Sequence, residues 1–135
     1  MSKLILYTDG GARGNPGPAA IGIAIFDQSG KELKRLGQMI GETTNNQAEY
    51  KALIAGLEAA EKLNATEVVC HLDSELVVKQ MQGKYKVREP GLQDLAPQVF
   101  RLLGKFKHVQ FVHVPREKNQ LADELVNEAL DKAGF

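Results

Sequence analysis

This chain of 135 residues has no tryptophan, one cysteine and no apolar run near the length that crosses a bilayer. Because Cys70 stands alone, an internal disulfide is excluded. A membrane-spanning helix needs about 20 consecutive apolar residues, and the chain does not open with the charged and apolar stretches of a signal peptide. We therefore expect a cytoplasmic protein that does not associate with membranes.

An excess of either charge is also missing, since 17 basic residues balance 17 acidic ones. Without a strong overall field, the molecule does not attract a polyanion as a whole, and any nucleic-acid binding must be local. The length fits one domain, residues 1–135, with a single hydrophobic core. We expect this domain to be a monomer.

Hydrophobic periodicity predicts an α/β fold. Residues 3–9, 20–27 and 32–40 read as an antiparallel meander of three strands, with a hairpin turn at 28–31 and a Gly/Pro-rich loop at 10–18. A long helix over 44–63 then leads to a strand over 67–73, which is too distant along the chain for a hairpin and is predicted to lie parallel to the first. Further elements are a short helix over 74–82, an amphipathic helix over 92–106, a last strand over 108–114 and a final helix after residues 116–120.

The long helix carries a carboxylate on its apolar side. Its apolar stripe consists of Ala52, Leu53, Gly56, Leu57 and Ala60. Glu49 stands one turn before Leu53 on the same stripe, and so faces the protein. Burying an ionised carboxylate costs several kcal/mol, about enough to neutralise it unless a cation or hydrogen-bond donors meet it. Thr44 or Asn45 is the predicted cap of this helix.

Three further carboxylates are predicted to lie near Glu49. Asp9 and Asp73 end the two strands predicted to be parallel, and Asp123 opens the final helix on the same side. At about 4 Å and an effective dielectric near 20, each like-charged pair costs roughly 4 kcal/mol. A divalent cation removes that conflict, and oxygen ligands favour Mg²⁺ or Mn²⁺. Pairs of such ions suit phosphodiester cleavage.

Four motifs that run in order along the chain resemble those of ribonuclease HI. They are Tyr7-Thr8-Asp9-Gly10-Gly11 with Gly14-Asn15-Pro16-Gly17-Pro18, then Thr44-Asn45-Asn46-Gln47-Ala48-Glu49, Asp73-Ser74, and Asn119-Gln120-Leu121-Ala122-Asp123. The resemblance implies a ribonuclease H-like fold, with a mixed five-stranded sheet, strands 4 and 5 parallel to strand 1, and helices on both faces. It also implies cleavage of the RNA strand of RNA–DNA hybrids, leaving 3′-hydroxyl and 5′-phosphate ends.

The same resemblance assigns roles to individual residues. It implies that Asp9, Glu49, Asp73 and Asp123 hold two Mg²⁺ ions, with Mn²⁺ as a possible substitute. It also implies contacts with the substrate backbone and 2′-hydroxyls, made by Gly14, Asn15, Thr44, Asn45 and Asn46. Asparagine amides and backbone groups suit a hydroxyl that both donates and accepts hydrogen bonds.

The chain departs from the best-known bacterial form in two places. The basic, tryptophan-rich protrusion is replaced by a short segment, 83–91, where only Lys84, Tyr85, Lys86 and Arg88 offer substrate contacts. We therefore expect weak, salt-sensitive hybrid binding. The family often places a mobile histidine before its last aspartate, where it assists proton movement and product release. His113 lies inside a predicted strand here, and we assign that catalytic role to Arg116.

Each of these residues also has a structural interpretation. Asp9 alone reads as a turn residue, Glu49 as half of an ion pair with Arg13, and Asp123 as a favourable charge in a first helical turn. Only their joint pattern favours a nuclease. The alternative function is a nucleic-acid-binding module of the same fold with little or no catalysis. A proofreading exonuclease is disfavoured because Gly11 stands where such chains place glutamate.

Overall fold

The computed structural model describes residues 2–135, and it contains one mixed five-stranded sheet. Strands β1 (Lys3–Ala12), β2 (Gly17–Asp27) and β3 (Glu32–Thr43) form an antiparallel meander. Strand β4 (Glu67–Leu72) lies parallel to β1, and β5 (His108–His113) lies parallel to β4. The order β3-β2-β1-β4-β5 confirms the predicted fold, with β1 at the centre.

Within residues 2–135, five α-helices flank this sheet. They are α1 (Asn45–Lys62), α2 (Glu75–Met81), α3 (Pro90–Gln93), α4 (Ala96–Leu103) and α5 (Gln120–Lys132). The single helix predicted over 92–106 is wrong, because that segment divides into α3 and α4. Pro97 is tolerated in the first turn of α4, but it has no N–H to continue a helix from the preceding residues.

The first strand extends beyond its predicted end. Asp9 pairs with Gly22, and pairing of β1 with β2 continues as far as Ala12 and Ala19. The predicted loop over 10–18 is therefore reduced to residues 13–16, and Asp9 lies inside the strand. Asp73, predicted to be the last residue of its strand, instead follows the end of β4 directly.

The two faces of the sheet bury different helices. Leu6, Ile23, Leu53 and Leu57 are fully buried between the sheet and α1, in the larger hydrophobic cluster. On the other face α5 packs against β1, β2 and β3. A Cβ on Gly22 would lie 2.1 Å from the carbonyl oxygen of Ala122, so the absence of a side chain there lets the first turn of α5 rest on the sheet.

No helix within residues 2–135 combines the length and the apolar character needed to cross a membrane. Cys70 is fully buried in the larger hydrophobic cluster, as expected for a core residue.

Candidate active site

Three carboxylates meet at one edge of the sheet. Asp9 lies in central strand β1, Asp73 directly follows β4, and Glu49 lies in the first turns of α1. Because β1 and β4 are parallel neighbours, their carboxyl ends lie at the same edge, where α1 begins. Asp9, Glu49 and Asp73 each offer a carboxylate oxygen, and these three atoms all lie within 4.8 Å of one another.

Burial and mutual repulsion raise the pKa values of two of these groups. Burial is the main cause for Asp9, whose pKa rises to about 7, with further increases from the charges of Asp73 and Asp123. The pKa of Glu49 rises well above its usual value because of burial first and the charge of Asp9 second, and the nearby backbone N–H of Gly10 opposes part of this shift. The cluster therefore retains protons unless another positive charge stabilises its ionised form.

A divalent cation fits this set of ligands. Glu49 is only 8% exposed, and its Oε2 atom has no hydrogen-bond partner among residues 2–135. Arg13, which the sequence offered as an ion-pair partner for Glu49, instead pairs with Asp131 at 2.7 Å and donates to Asn127 at 3.3 Å. Closely spaced carboxylate oxygens with an unpartnered member are suitable ligands for Mg²⁺ or Mn²⁺.

Asp123 and Arg116 lie in the same cleft, which has a volume of about 490 Å³. Asp123 is in the first turn of α5 but does not belong to the group of three. Its Oδ1 atom lies 3.5 Å from a guanidinium nitrogen of Arg116, whose side chain is 79% exposed. His113 is exposed at the end of β5 and is not among the residues that line the cleft.

Asn119 is a site residue to which the sequence assigned no role. It is 1% exposed, and its Nδ2 atom donates to Thr8 O at 3.0 Å and to Asp73 Oδ2 at 3.1 Å. The motif Asn119-Gln120-Leu121-Ala122-Asp123 drew attention to this position. Its polar side chain gave no sign of burial, however, because asparagines that precede helices are usually exposed caps.

Two of the predicted substrate-contacting asparagines accept hydrogen bonds from backbone N–H groups through their side-chain oxygens. The backbone N–H of Asn45 donates to Asn15 Oδ1 at 2.9 Å, and the N–H of Ala12 donates to Asn45 Oδ1 at 2.8 Å. Because both amide oxygens accept these bonds, the donor nitrogens of the two side chains point away from the backbone N–H groups. Between β1 and β2, Gly14 adopts a φ of +107°, which favours glycine.

The remaining predicted substrate contacts are more dispersed. Thr44 caps α1 by accepting from the N–H of Gln47 at 3.2 Å, as predicted. Asn46 donates from Nδ2 to Glu89 Oε1 at 2.8 Å. The other three, Lys84, Tyr85 and Lys86, are exposed after α2 and do not line the acidic cleft.

The sheet order β3-β2-β1-β4-β5 is that of a ribonuclease H-like fold, and a group of three carboxylates lies at the edge of its central strands. The family profile described as reverse transcriptase-like matches residues 7–129. The chain is 45% identical to ribonuclease HI of Halobacterium salinarum over 94% of its own length, and 46% identical to the bifunctional protein Rv2228c of Mycobacterium tuberculosis over 97%. It belongs to the ribonuclease HI family.

These relatives are longer than the chain, which covers 64% of the Halobacterium protein and 36% of the mycobacterial one. Among solved structures, LC11-RNase H1 in complex with RNA/DNA hybrid is 52% identical, with a TM-score of 0.91. That alignment covers 96% of this chain and 98% of the other. The similarity therefore extends over nearly the whole of a solved ribonuclease H1 chain.

Proposed function

We propose that this chain is a metal-dependent ribonuclease H that hydrolyses the RNA strand of RNA–DNA hybrids. The observation that carries the proposal is the group formed by Asp9, Glu49 and Asp73, whose oxygens lie within 4.8 Å of one another. The hybrid bound to LC11-RNase H1 supports the choice of substrate. A pure binding module would gain nothing from three adjacent carboxylates, because they repel the polyanion it must hold.

Asp9, Glu49 and Asp73 are the residues that would hold a divalent cation, and Asp123, which lines the same cleft, is the proposed ligand of a second. A bound Mg²⁺, or Mn²⁺ in its place, would supply activation of water and stabilisation of charge on the leaving oxygen in phosphodiester hydrolysis. We propose that two ions act and that the products carry 3′-hydroxyl and 5′-phosphate ends.

The chain's own residues have three tasks in this mechanism. Asn119 holds the carboxylate of Asp73 in place through its buried amide. Asn15 and Asn45, whose oxygens are engaged by backbone N–H groups, present donor nitrogens to the substrate, where a 2′-hydroxyl can accept from them. Arg116, beside Asp123 in the cleft, is proposed to take the part of the family's mobile histidine in proton movement and product release, and its guanidinium suits contact with phosphate.

Lys84, Tyr85 and Lys86 provide the sparse phosphate contacts that replace a basic protrusion. Few phosphate contacts imply weak binding, whose affinity falls by about one power of ten per tenfold salt increase for each contact. We further propose that residues 1–135 act as a single monomeric domain in the cytoplasm.

Cleavage of end-labelled duplexes tests the function. The parent is incubated with RNA–DNA hybrid, RNA–RNA and DNA–DNA in Mg²⁺ or Mn²⁺, and Asp9→Asn serves as the control. We expect cleavage of the RNA strand of the hybrid by the parent alone. Retarded migration of the hybrid with every strand intact would instead assign the chain to the alternative, a catalytically inactive binding module.

A further inference from the structure

The segment that replaces the basic protrusion folds back onto the beginning of α1. Gln80, which is 4% exposed at the end of α2, accepts a hydrogen bond from Tyr50 Oη at 2.6 Å. The same side chain donates to Lys86 O at 3.4 Å. A buried amide in α2 thus connects α1 to the middle of the segment, which then reaches the first turn of α1.

At that first turn the segment contacts a predicted substrate-binding residue. Asn46 Nδ2 donates to Glu89 Oε1 at 2.8 Å. The backbone of Glu89 is fixed by α3, because its carbonyl accepts from the N–H of Leu92 at 3.0 Å, while its side chain makes no cap hydrogen bond to that helix. The carboxylate is therefore directed to Asn46.

This contact determines which way the Asn46 amide points. A carboxylate only accepts hydrogen bonds, so the nitrogen of the amide must face Glu89 and its oxygen must face away. One N–H and the whole of Oδ1 remain available to a ligand. A 2′-hydroxyl donates as well as accepts, and a preset acceptor avoids the entropy cost of ordering the amide on binding.

We propose that Glu89 is a positioning residue that orients Asn46 for the 2′-hydroxyls of the RNA strand. The inference rests on the proposed function, because it assumes that Asn46 faces a hybrid. Glu89 places a negative charge near a polyanion, which on its own weakens binding. Orientation of Asn46 by Glu89 thus favours hybrid binding, whereas the charge of Glu89 opposes it. Two substitutions separate these effects.

The variants Glu89→Gln and Glu89→Ala are made in the Asp9→Asn background, with and without Asn46→Ala. Glutamine keeps an acceptor for Asn46 and removes the charge, whereas alanine removes both. Affinities for an RNA–DNA hybrid and for a DNA duplex of the same sequence are measured by fluorescence anisotropy. The ratio of the two affinities is the preference for the hybrid. Asp94→Ala, which removes an exposed carboxylate just beyond α3, is the charge control.

We expect Glu89→Ala to lower the preference for the hybrid by about 2- to 10-fold, the effect of one hydrogen bond. Glu89→Gln and Asp94→Ala should preserve the preference, and the effect of Glu89→Ala should vanish when Asn46 is already alanine. An unchanged preference in Glu89→Ala, or an equal loss in both Asn46 backgrounds, would overturn the inference. Hybrid cleavage by the parent is scored separately, so failure of the proposed function is distinguished from failure of this role.

Discussion

The buried amide of Asn119 joins Asp73 to the central strand, with Nδ2 at 3.1 Å from Asp73 Oδ2 and at 3.0 Å from Thr8 O. Asn119 itself immediately precedes α5, the helix that carries Asp123. One side chain therefore connects three segments that each carry or adjoin a predicted ligand. Its amide fixes the orientation of the Asp73 carboxylate, as residues behind metal ligands commonly do.

We predict that Asn119→Ala weakens Mn²⁺ binding about 10-fold or more, the usual effect of losing such a support. It should also lower the free energy of unfolding by about 1 to 3 kcal/mol, because Thr8 O loses its buried donor. Calorimetric titration with Mn²⁺ and urea denaturation measure the two effects. Gln120→Ala, which removes an exposed amide next to Asn119 that lines a different cleft, is the control, and an Asn119→Ala protein with parental Mn²⁺ affinity would contradict the assigned role.

The close approach of β1 and α1 gives a second prediction. A Cβ on Gly10 would lie 2.2 Å from Ala48 O and 2.6 Å from Glu49 N, so a side chain there must separate the strand from the helix. We expect Gly10→Ala to lower the free energy of unfolding by roughly 1 to 3 kcal/mol or more, as overpacking does. It should also impair metal binding, since Asp9 and Glu49 would move apart.

The neighbouring Gly11→Ala is the matched control for the effect of Gly10→Ala on stability. A Cβ at Gly11 would meet Val126 Cγ1 at 3.7 Å, an ordinary contact. Its free energy of unfolding should therefore stay within about 1 kcal/mol of the parent's. Equal urea midpoints for the two variants would show that the close approach of Gly10 to the backbone of α1 does not determine stability.

The sheet and the approach of Asp9, Glu49 and Asp73 could be predicted because each follows from a local pattern. Alternating or continuous apolar runs gave the strands, and helical spacing placed Glu49 on the buried stripe of α1. Parallel strands then required Asp9 and Asp73 to lie near the same edge. The end of β1 could not be predicted, because Gly10 and Gly11 are typical of a loop but are held in the strand by pairing with β2.

Contacts between polar side chains that are distant along the chain could also not be predicted from the sequence. Nothing local distinguishes Asn119 as a buried amide, or Glu89 as the partner of Asn46, 43 residues away. Both contacts depend on how the fold places one segment against another. The division of residues 92–106 into α3 and α4 does have a local cause in the sequence, because Pro97 lacks the N–H that a continuous helix would need there.

The raised pKa of Asp9 predicts that the metal-free protein loses stability as pH rises. Asp9 holds its proton up to about pH 7 in the folded state, whereas the unfolded chain releases it near pH 4. Between these values the folded state binds more protons, so the free energy of unfolding falls with increasing pH. Urea denaturation in EDTA at about pH 5 and about pH 8 measures this slope.

Asp9→Asn is the control, since it cannot titrate and its slope should be flatter than the parent's. The slopes of the two proteins must be compared because His71, whose pKa is lowered by burial, makes the free energy of unfolding rise with pH in both. Mg²⁺ should raise the melting temperature of the parent more at the higher pH, where fewer protons compete for the carboxylates. A parent and an Asp9→Asn variant with the same slope would refute the assignment.

Arg116 provides the last prediction, because its guanidinium lies 3.5 Å from Asp123 Oδ1 yet is 79% exposed. An ion pair so exposed contributes at most about 1 kcal/mol to stability, so Arg116→Ala should unfold at nearly the parental urea concentration. Arg116 is also outside the group of Asp9, Glu49 and Asp73, and Mn²⁺ binding should persist. Single-turnover and steady-state cleavage of the hybrid should both slow.

The control is Lys118→Ala, which removes a positive charge from the same turn, Arg116–Lys118. Lys118 lines a different cleft, beside Tyr7 and Phe26, and not the acidic one. Loss of general electrostatic attraction to the hybrid would slow both variants alike and would be offset by lowering the salt concentration. A specific role at the cleft predicts that only Arg116→Ala is slow and that low salt does not restore its rate, so rates equal to the parent's in both assays would exclude that role.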